Sequence, residues 1–510
     1  MKRLRTLQLL LAALASSAVA GEWPHAVTYE IFVRAFADSN KDGTGDLRGV
    51  TEKLDYLKDL GVQAIWLMPI HPSPSYHKYD VTDYREIHPE YGTMKDFETL
   101  IAEAHRRGIR IIIDLVINHT SRQHPWFEAA VTDPSGPYRD YYVWRHADEI
   151  DSMTASSAGP DTDNLRRWHE AGKDTDSFYY AYFTGGMPDL NFDNPEVRRE
   201  IYDIGRFWLE KGVDGFRLDA AMHIYPDERE DDSVAFWKEF RREMEKTNPD
   251  VLLVGEVWTE GDRAKKYLPG LKSVFNFELA GSILDALRSG RGDGLAARHA
   301  DLQRKYHGVT GDFVDATFLS NHDQNRVMSV LDDEDRARVA AAILLTLPGS
   351  PYLYYGEEIG MLGTKPDHFI REPMLWQKQP DPWRAQTGRV RFNKSSAVRP
   401  VQQQLENPSS LLNHYRSLIH LRNKTAALNR GDLQPVGDLH PSLVAFIRRQ
   451  DNERVLVAHN VSGKRVVIDL PETFKGFTEV LWKSSDRVAG KGATITLPAH
   501  SSIVLRARAS

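Results

Sequence analysis

Cysteine is absent from this chain of 510 residues. No disulfide can form, so stability must come from the size of the core or from bound ions. After the first twenty residues no apolar run is long enough for a membrane helix, and the basic residues are scattered rather than gathered into runs. With a formal net charge of -7 as well, the sequence indicates neither a membrane nor a nucleic-acid partner.

The first twenty residues differ in character from the rest. Three basic residues precede an apolar run at 7–15, and Ala18-Val19-Ala20 fits the small-residue pattern of a cleavage site. We therefore expect a signal peptide over residues 1–20 and export to the periplasm or the medium. Cleavage before Gly21 would remove three basic residues and no acidic ones, which takes the net charge from -7 to -10.

Beyond residue 21, short apolar runs alternate with stretches of helical spacing, such as 50–60, 94–107, 196–209 and 233–246. Eight runs predict strands: 27–36, 62–70, 109–116, 215–220, 251–257, 273–278, 313–319 and 351–355. The run at 109–116 is nearly continuous in apolar residues, as in a strand buried on both faces. The pattern predicts an α/β fold, a (β/α)8 TIM barrel. The alternative is an open doubly wound sheet, but no glycine-rich phosphate turn follows the first strand.

Two regions interrupt this alternation. Residues 120–185 are rich in Ser, Asp, Gly, Pro and aromatics, and a loop of that length predicts an irregular insertion subdomain after the third strand. From residue 435 onward, short strand-like runs without helices predict a C-terminal all-β sandwich. We therefore assign the barrel to 21–119 and 186–430, the insertion to 120–185 and the sandwich to 431–510.

A charged pair lies in the fourth predicted strand. Because side chains of a strand alternate between faces, Arg217 and Asp219 point the same way. A guanidinium beside a carboxylate favours its ionised form, as an anionic nucleophile requires. A structural ion pair at a strand end is an equally good interpretation of this stretch alone.

Three more predicted strand ends carry acids or histidines: Asp114 to His119 at the end of the third strand, Glu256 at the end of the fifth, and His322 and Asp323 after the seventh. Each carboxylate alone could be a helix N-cap, but the C-terminal ends of barrel strands meet at one mouth, where catalytic residues lie. A cluster of acids there suits retaining glycoside cleavage. That mechanism needs an ionised nucleophile and a protonated acid about 5–5.5 Å apart.

The motifs at these four strand ends resemble those of the α-amylase family of glycoside hydrolases, and the similarity spans nearly the whole chain after residue 27. They read Asp-Leu-Val-Ile-Asn-His at 114–119, Gly-Phe-Arg-Leu-Asp-Ala-Ala-Met-His at 215–223, Gly-Glu-Val-Trp at 255–258 and Phe-Leu-Ser-Asn-His-Asp at 318–323. The resemblance implies that Asp219 is the nucleophile, Glu256 the general acid/base and Asp323 the transition-state stabiliser. It also implies substrate-binding side chains at Tyr79, Asp114, His119, Arg217, His223 and His322.

Three positions bear on specificity. Residues 187–191, Met-Pro-Asp-Leu-Asn, resemble the marker of an intermediate subfamily that contains secreted bacterial α-amylases. Tyr76 stands where exo-acting α-glucosidases of the family carry an acid, and Ala220 resembles the α-1,4-acting members. We therefore expect the enzyme to hydrolyse internal α-1,4 bonds of starch and maltooligosaccharides. A monomer is expected as well. An α-glucosidase, a neopullulanase or cyclomaltodextrin hydrolase with transglycosylation, and a non-catalytic carbohydrate-binding protein remain as alternatives.

Two calcium sites are expected. Between residues 38 and 46, oxygen-bearing side chains on alternate positions begin like an EF-hand loop, although Gly49 replaces the glutamate expected at position twelve. A solvated Asp/Asn/Gly turn is the alternative. The resemblance favours a structural Ca²⁺ bound by Asp38, Asn40, Asp42, the Thr44 carbonyl and Asp46. It also implies a second site formed by Asn118, Asp189 and the His223 carbonyl.

Overall fold

The computed structural model describes residues 23–150, 162, 166–172, 176–378, 390–394, 397–437, 439–491 and 494–508. The predicted signal peptide lies outside these residues. No helix within them has the length and apolar character that crossing a membrane requires.

Parallel strands form the centre of the molecule. In chain order the strands before residue 360 are β1 (Thr28–Ile31), β2 (Ala64–Leu67), β3 (Arg110–Leu115), β4 (Trp144–His146), β5 (Trp168–Glu170), β6 (Ser177–Tyr180), β7 (Gly215–Leu218), β8 (Leu252–Gly255), β9 (Ser273–Val274), β10 (Ala316–Phe318) and β11 (Ser350–Tyr354). Eight of them pair in the order β10-β11-β1-β2-β3-β7-β8-β9, and a parallel bridge between Phe275 and Ala316 joins β9 to β10. This ring confirms the predicted (β/α)8 barrel.

Helices surround the barrel and begin at residues suited to capping. Thr93 and Asp96 form a reciprocal capping box, and Asn194 caps a helix whose first residue is Pro195. Gly61 ends another helix with a φ of 98°, a conformation that favours glycine. Among the described residues the α-helices are Val33–Phe36, Leu47–Glu52, Leu54–Leu60, Met94–Arg106, Pro125–Thr132, Pro195–Glu210, Glu230–Glu245, Gly261–Ala264, Phe277–Ser289, Leu295–His307, Val327–Leu331, Glu334–Thr346, Asp367–Ile370, Val401–Leu405, Leu411–Lys424 and Ala426–Arg430.

Two of the predicted strands run into helices. The run at 27–36 holds only β1 and then a helical turn over Val33–Phe36, and the run at 273–278 holds only β9 before a helix begins at Phe277. Asn276 caps that helix, because its side chain accepts a hydrogen bond from the Leu279 amide at 2.9 Å. The length of a short apolar run does not distinguish a strand from the first turn of a helix, so these ends were wrong.

The inside of the barrel is filled with side chains. Trp66, Ile112, Val254, Phe275 and Tyr352 are among the buried residues that pack together there. A separate and larger apolar cluster lies between the sheet and the surrounding helices. The barrel is therefore a packed core rather than a pore, and its strand ends position the polar groups.

The insertion is more regular than the sequence suggested. It contains the helix Pro125–Thr132 and a three-stranded antiparallel sheet in the order β4-β6-β5. Phe127 stacks on Trp144 at 5.8 Å, and Tyr179 is buried against the same ring system. A bridge between His119 and Asp189 ties the end of this segment to the residues that follow β3. The insertion therefore borders the mouth of the barrel.

The C-terminal strands form two sheets. They are β12 (Asp432–Pro435), β13 (Leu443–Gln450), β14 (Glu453–Asn460), β15 (Val466–Asp469), β16 (Phe477–Lys483), β17 (Ala489–Lys491), β18 (Thr494–Leu497) and β19 (Ser501–Ala507). The orders β12-β13-β14-β19-β16 and β15-β18-β17 enclose one apolar core, as predicted for a sandwich. Buried Arg448 donates to the carbonyls of Thr346 and Gly431, which links this domain to the end of a barrel helix.

Candidate active site

The barrel register brings the predicted residues to one mouth. Asp114 in β3 lies beside Arg217 in β7, while Asp219 directly follows β7 and Glu256 directly follows β8. His322 and Asp323 lie in the loop after β10. Because the strands are parallel, all of these positions lie at or beyond the C-terminal ends of the strands, on one side of the barrel.

Arg217 joins three carboxyl groups. Its Nη1 lies 2.6 Å from Asp219 Oδ1 and donates to both oxygens of Asp114 at 3.0 and 3.1 Å. Its Nη2 lies 2.7 Å from Glu256 Oε2. Ala220 has a left-handed φ of 48°, and its amide donates to Glu256 Oε2 at 3.3 Å. Asp219 and Glu256 are therefore held on opposite nitrogens of one buried guanidinium.

The acids of this cluster have shifted proton affinities. Burial raises the pKa of Glu256 to about 8; Arg217 opposes this rise and the charge of Asp219 adds to it. Burial also raises the pKa of Asp114 to about 7, against the effect of Arg217. Glu256 is therefore protonated at neutral pH, as a general acid must be.

Asp323 has different surroundings. Its Oδ2 lies 2.9 Å from Nε2 of His322, and its Oδ1 lies 2.7 Å from Nη2 of Arg371. Burial alone would raise the pKa of Asp323, but the charges of His322 and Arg371 lower it below its ordinary value. Asp323 is therefore ionised, whereas Glu256 is not.

Tyr79 connects the two halves of the cluster. Its hydroxyl donates to Asp114 Oδ2 at 2.9 Å and lies 2.6 Å from Nε2 of His322. The two rings lie nearly parallel, with centroids 5.5 Å apart. Buried Lys78 stabilises this loop, because its Nζ donates to the carbonyls of Ser73 and Ser75. Tyr79, which is predicted to bind substrate, is thus held beside the acids.

His119 and His223 lie nearer to the insertion. His119 Nε2 is 3.1 Å from the Tyr79 carbonyl, and its ring meets Phe183 edge-on at 5.3 Å. The ring of Tyr182 stacks on His223 with centroids 3.8 Å apart. The structure therefore brings both histidines to the barrel–insertion border.

Several residues of this mouth were not predicted. Glu30 contacts His322 from β1, Trp66 lies 5.3 Å from the Arg217 guanidinium, and Arg371 reaches Asp323 from the end of the helix Asp367–Ile370. Phe183 comes from the insertion. Glu30 was detectable, since it is a lone acid inside an apolar run like Asp114. Arg371 had no comparable signal, because it follows no predicted strand directly.

The predicted calcium loop is closed by its own hydrogen bonds. Asp38 accepts from the amides of Lys41 and Gly43, and Asp42 Oδ1 accepts from the Thr44 amide at 2.8 Å. Asp46 caps the helix Leu47–Glu52 by accepting from the Gly49 amide. Within the described ranges no three histidine or acidic side chains converge as they would around a metal ion. The expected ligands also include the side-chain oxygen of Asn40 and the carbonyl oxygen of Thr44, so this calcium site stays a prediction.

The second predicted site has a chemical feature that fits a cation. Asn118 Oδ1 is buried and has no hydrogen-bond partner among the described atoms. Asp189 lies beside it, with Oδ2 3.3 Å from Asn118 Nδ2, and burial raises the pKa of Asp189 to about 7. An unpartnered oxygen next to a buried carboxyl suits a hard cation such as Ca²⁺.

Comparison with known proteins places this arrangement in a family. Residues 30–431 match the family described as "Alpha amylase, catalytic domain", and residues 443–504 match "Alpha-amylase SusG C-terminal domain". Alpha-amylase 3 of Dictyoglomus thermophilum is 44% identical over 444 residues, which cover 86% of this chain and 85% of that protein. The oligo-1,6-glucosidase of Parageobacillus thermoglucosidasius is 33% identical over 534 residues, covering 88% and 92%.

A solved structure agrees over most of the chain. The crystal structure of the alpha-amylase from H. orenii superposes with a TM-score of 0.84 at 42% identity, covering 95% of this chain and 99% of that one. An α-glucan substrate is consistent with this family. The relatives differ in activity, so membership gives the reaction class rather than the bond that is cut. The chain belongs to the α-amylase family and is a glycoside hydrolase.

Proposed function

We propose that this enzyme hydrolyses internal α-1,4-glucosidic bonds of starch and maltooligosaccharides with retention of configuration. The observation that carries the proposal is the shared guanidinium of Arg217. It contacts the carboxylate of Asp219 through Nη1 and the carboxyl group of Glu256 through Nη2. Two acids held on one cation, one of them protonated at neutral pH, match the needs of a double-displacement reaction.

In this mechanism Asp219 attacks the anomeric carbon while Glu256 donates its proton to the departing glycosidic oxygen. The bond from that carbon to the leaving sugar breaks, and an ester between the sugar and Asp219 forms. Glu256, now ionised, takes a proton from water, and the resulting nucleophile cleaves the ester. Burial raises the pKa of Glu256 to about 8, which supports its role as the proton donor.

Asp323 would stabilise the oxocarbenium-like transition state. Its ion pairs with His322 and Arg371 keep it anionic, so it can interact with positive charge that develops on the sugar ring. His322, through Nε2–H, and Asp114 can also hydrogen-bond the hydroxyls of the sugar ring. Tyr79, which lies parallel to His322, offers the aromatic face on which the sugar stacks.

Tyr76 favours cleavage at internal bonds of the glucan rather than at its end. An acid at this position would bind the end of a glucan, and the neutral side chain of tyrosine cannot replace its charge.

A specific feature supports the exo-acting α-glucosidase as a second candidate. Arg371 pairs with Asp367 at 3.2 Å and donates to the Tyr76 hydroxyl at 3.2 Å, so a carboxylate still borders this edge of the site.

A product time course separates the two candidates. The substrates are soluble starch, pullulan, a cyclodextrin and maltotriose, with the anomer of the first product followed by NMR. Internal cleavage gives mixed maltooligosaccharides early in the reaction, initially as α-anomers. Release of glucose alone from long substrates would contradict it. A Tyr76→Glu variant is the matched probe, because restoring an acid there should shift products toward glucose.

The pH dependence of wild-type kcat/KM follows from Glu256. Its carboxyl must be protonated to donate a proton. On the alkaline limb of the pH profile, kcat/KM should therefore be at its maximum up to about pH 7 and should fall as the pH rises through about 8. Above the midpoint the fall should approach tenfold per pH unit. Initial rates on maltoheptaose between pH 5 and 10 measure this. An alkaline midpoint below pH 6 would contradict the assignment of Glu256 as the acid.

We also propose that both predicted calcium sites bind Ca²⁺. Their oxygen donors and the unpartnered Asn118 Oδ1 support it. Chelation by EDTA should lower Tm, because a ligand present at a hundred times its Kd stabilises the folded state by about 2.7 kcal/mol. Added Ca²⁺ should restore the original Tm. Asp42→Ala and Asp189→Ala should each reduce this response, whereas Asp486→Ala in the C-terminal domain should not. An unchanged Tm in EDTA would contradict both sites.

Export remains a proposal that residues 1–20 alone support. N-terminal sequencing of protein recovered outside the cytoplasm should begin at Gly21.

A further inference from the structure

A buried glutamate lies directly behind the cluster of acids. Glu30 is in β1 and is 1% exposed, and its Oε1 lies 2.6 Å from Nδ1 of His322. The two residues are 292 positions apart in the chain. The mechanism proposed above gives Glu30 no role. A buried carboxylate is costly unless a charged partner compensates it, so its presence requires an explanation.

The other side of the ring defines the protonation of His322. Its Nε2 faces Asp323 Oδ2 at 2.9 Å and the Tyr79 hydroxyl at 2.6 Å. That hydroxyl donates its own proton to Asp114, so it offers His322 a lone pair. Both ring nitrogens therefore face acceptors. Only the doubly protonated imidazolium has a donor for each of them.

We propose that Glu30 is a positioning residue of the active site: it accepts Nδ1–H of His322 and keeps this ring an imidazolium that holds Asp323 through Nε2–H. This inference rests on the proposed function, because it assigns Asp323 a role in the transition state. Glu30 lies on the far side of His322 from Asp323 and acts through the ring. Its contribution is the charge and orientation of His322.

The surroundings of His322 agree with this assignment. Burial alone would lower the pKa of His322, but Asp323 and Glu30 raise it to about 9. Other elements present further groups to the ring. Trp66 from β2 meets it edge-on, and the guanidinium of Arg371 donates to its backbone carbonyl. The charged or titratable groups that act on the ring or are affected by its charge are Glu30, Tyr79, Asp114, Glu256 and Asp323.

The Glu30→Gln variant tests the role of the charge. The amide oxygen of glutamine can still accept Nδ1–H, so the shape of the site is preserved while the negative charge is lost. Removal of an opposite charge at this distance should lower the pKa of His322 by about one unit or more. The readout is the ring pKa, measured by NMR on protein with isotope-labelled histidine and assigned by the signal missing in His322→Gln.

Activity gives a second readout. The ratio of Glu30→Gln to wild-type kcat should be near one at pH 6, where His322 is protonated in both. It should fall to about one third or less by pH 8.5, where the variant has lost much of the Nε2 proton and Asp323 faces a lone pair. KM should change less than kcat. A ring pKa that stays within about 0.3 unit of wild type, or a ratio independent of pH, would overturn the proposal.

A conservative variant separates charge from packing. Glu30→Asp keeps the charge but removes a methylene, so it should preserve the pH dependence of kcat better than Glu30→Gln while lowering Tm more. A purely structural role predicts the opposite order at every pH. Glu358→Gln is the matched control, because Glu358 is buried nearby and bonds Tyr29 and Tyr56 rather than His322. In Glu358→Gln the pKa of His322 should equal that of the wild type. The two proposals can fail separately. If the enzyme cut a bond other than an internal α-1,4 bond, its products from starch would differ from those expected, but the ring pKa of His322 in Glu30→Gln would still fall.

Discussion

Asp219→Asn should lower kcat on maltooligosaccharides by roughly 10⁴-fold or more, which is the scale on which loss of a covalent nucleophile acts in other enzymes. Asparagine has nearly the same shape as aspartate, and its amide oxygen can still accept from Arg217 Nη1, which lies 2.6 Å from Asp219 Oδ1 in the wild type. The amide cannot form the glycosyl ester. The loss should therefore be in kcat, with substrate binding largely retained.

The measurement is kcat and KM on maltoheptaose together with Tm for each protein. Arg217 keeps its contacts with Asp114 and Glu256 in the variant, so Tm should change little. Asp301→Asn is the matched control, since Asp301 pairs with Arg304 on the surface of a barrel helix. It should be fully active. An Asp219→Asn enzyme that kept more than about a hundredth of wild-type kcat would remove Asp219 as the nucleophile.

Glu256→Gln should lose about 10²- to 10⁴-fold in kcat on maltooligosaccharides, the range for a general acid/base. The loss in the first chemical step should be far smaller on α-maltosyl fluoride, because fluoride leaves without a proton from the enzyme. The second step still needs a base, so the glycosyl-enzyme should accumulate, and azide should accelerate turnover by replacing water. Asp219→Asn should be slow on both substrates, which separates the two roles.

The same substitution carries a stability signature. The pKa of Glu256 is about 8 in the folded protein and near 4.5 in an unfolded chain, so the folded state binds this proton more tightly. Stability from this group is therefore complete below about pH 4.5 and is lost as the pH rises through about 8. Glutamine does not titrate. The Tm of Glu256→Gln relative to wild type should be higher at pH 8.5 than at pH 5, and equal differences at both would contradict a buried, protonated Glu256.

The barrel and the position of its site were predictable for a physical reason. Strands buried on both faces are short apolar runs, as at 109–116, and parallel strands bring their C-terminal ends to one edge. Asp114, Asp219, Glu256 and Asp323 were therefore expected together, and they meet around Arg217 and His322. The ends of β1 and β9 were not predictable, because a short apolar run does not reveal where a strand yields to a helix.

By itself, the sequence determined the kinds of side chain at the strand ends, their order along the chain and the repeated strand–helix pattern that forms a barrel. Only the tertiary structure decided the partners of those side chains. Glu30 lies 292 residues from His322, and Arg371 reaches back 48 residues to Asp323. The charge of a carboxyl depends on its burial and on the groups within a few ångströms, and these come from separate strands. The sequence therefore names the acids, and the fold decides which of them holds a proton.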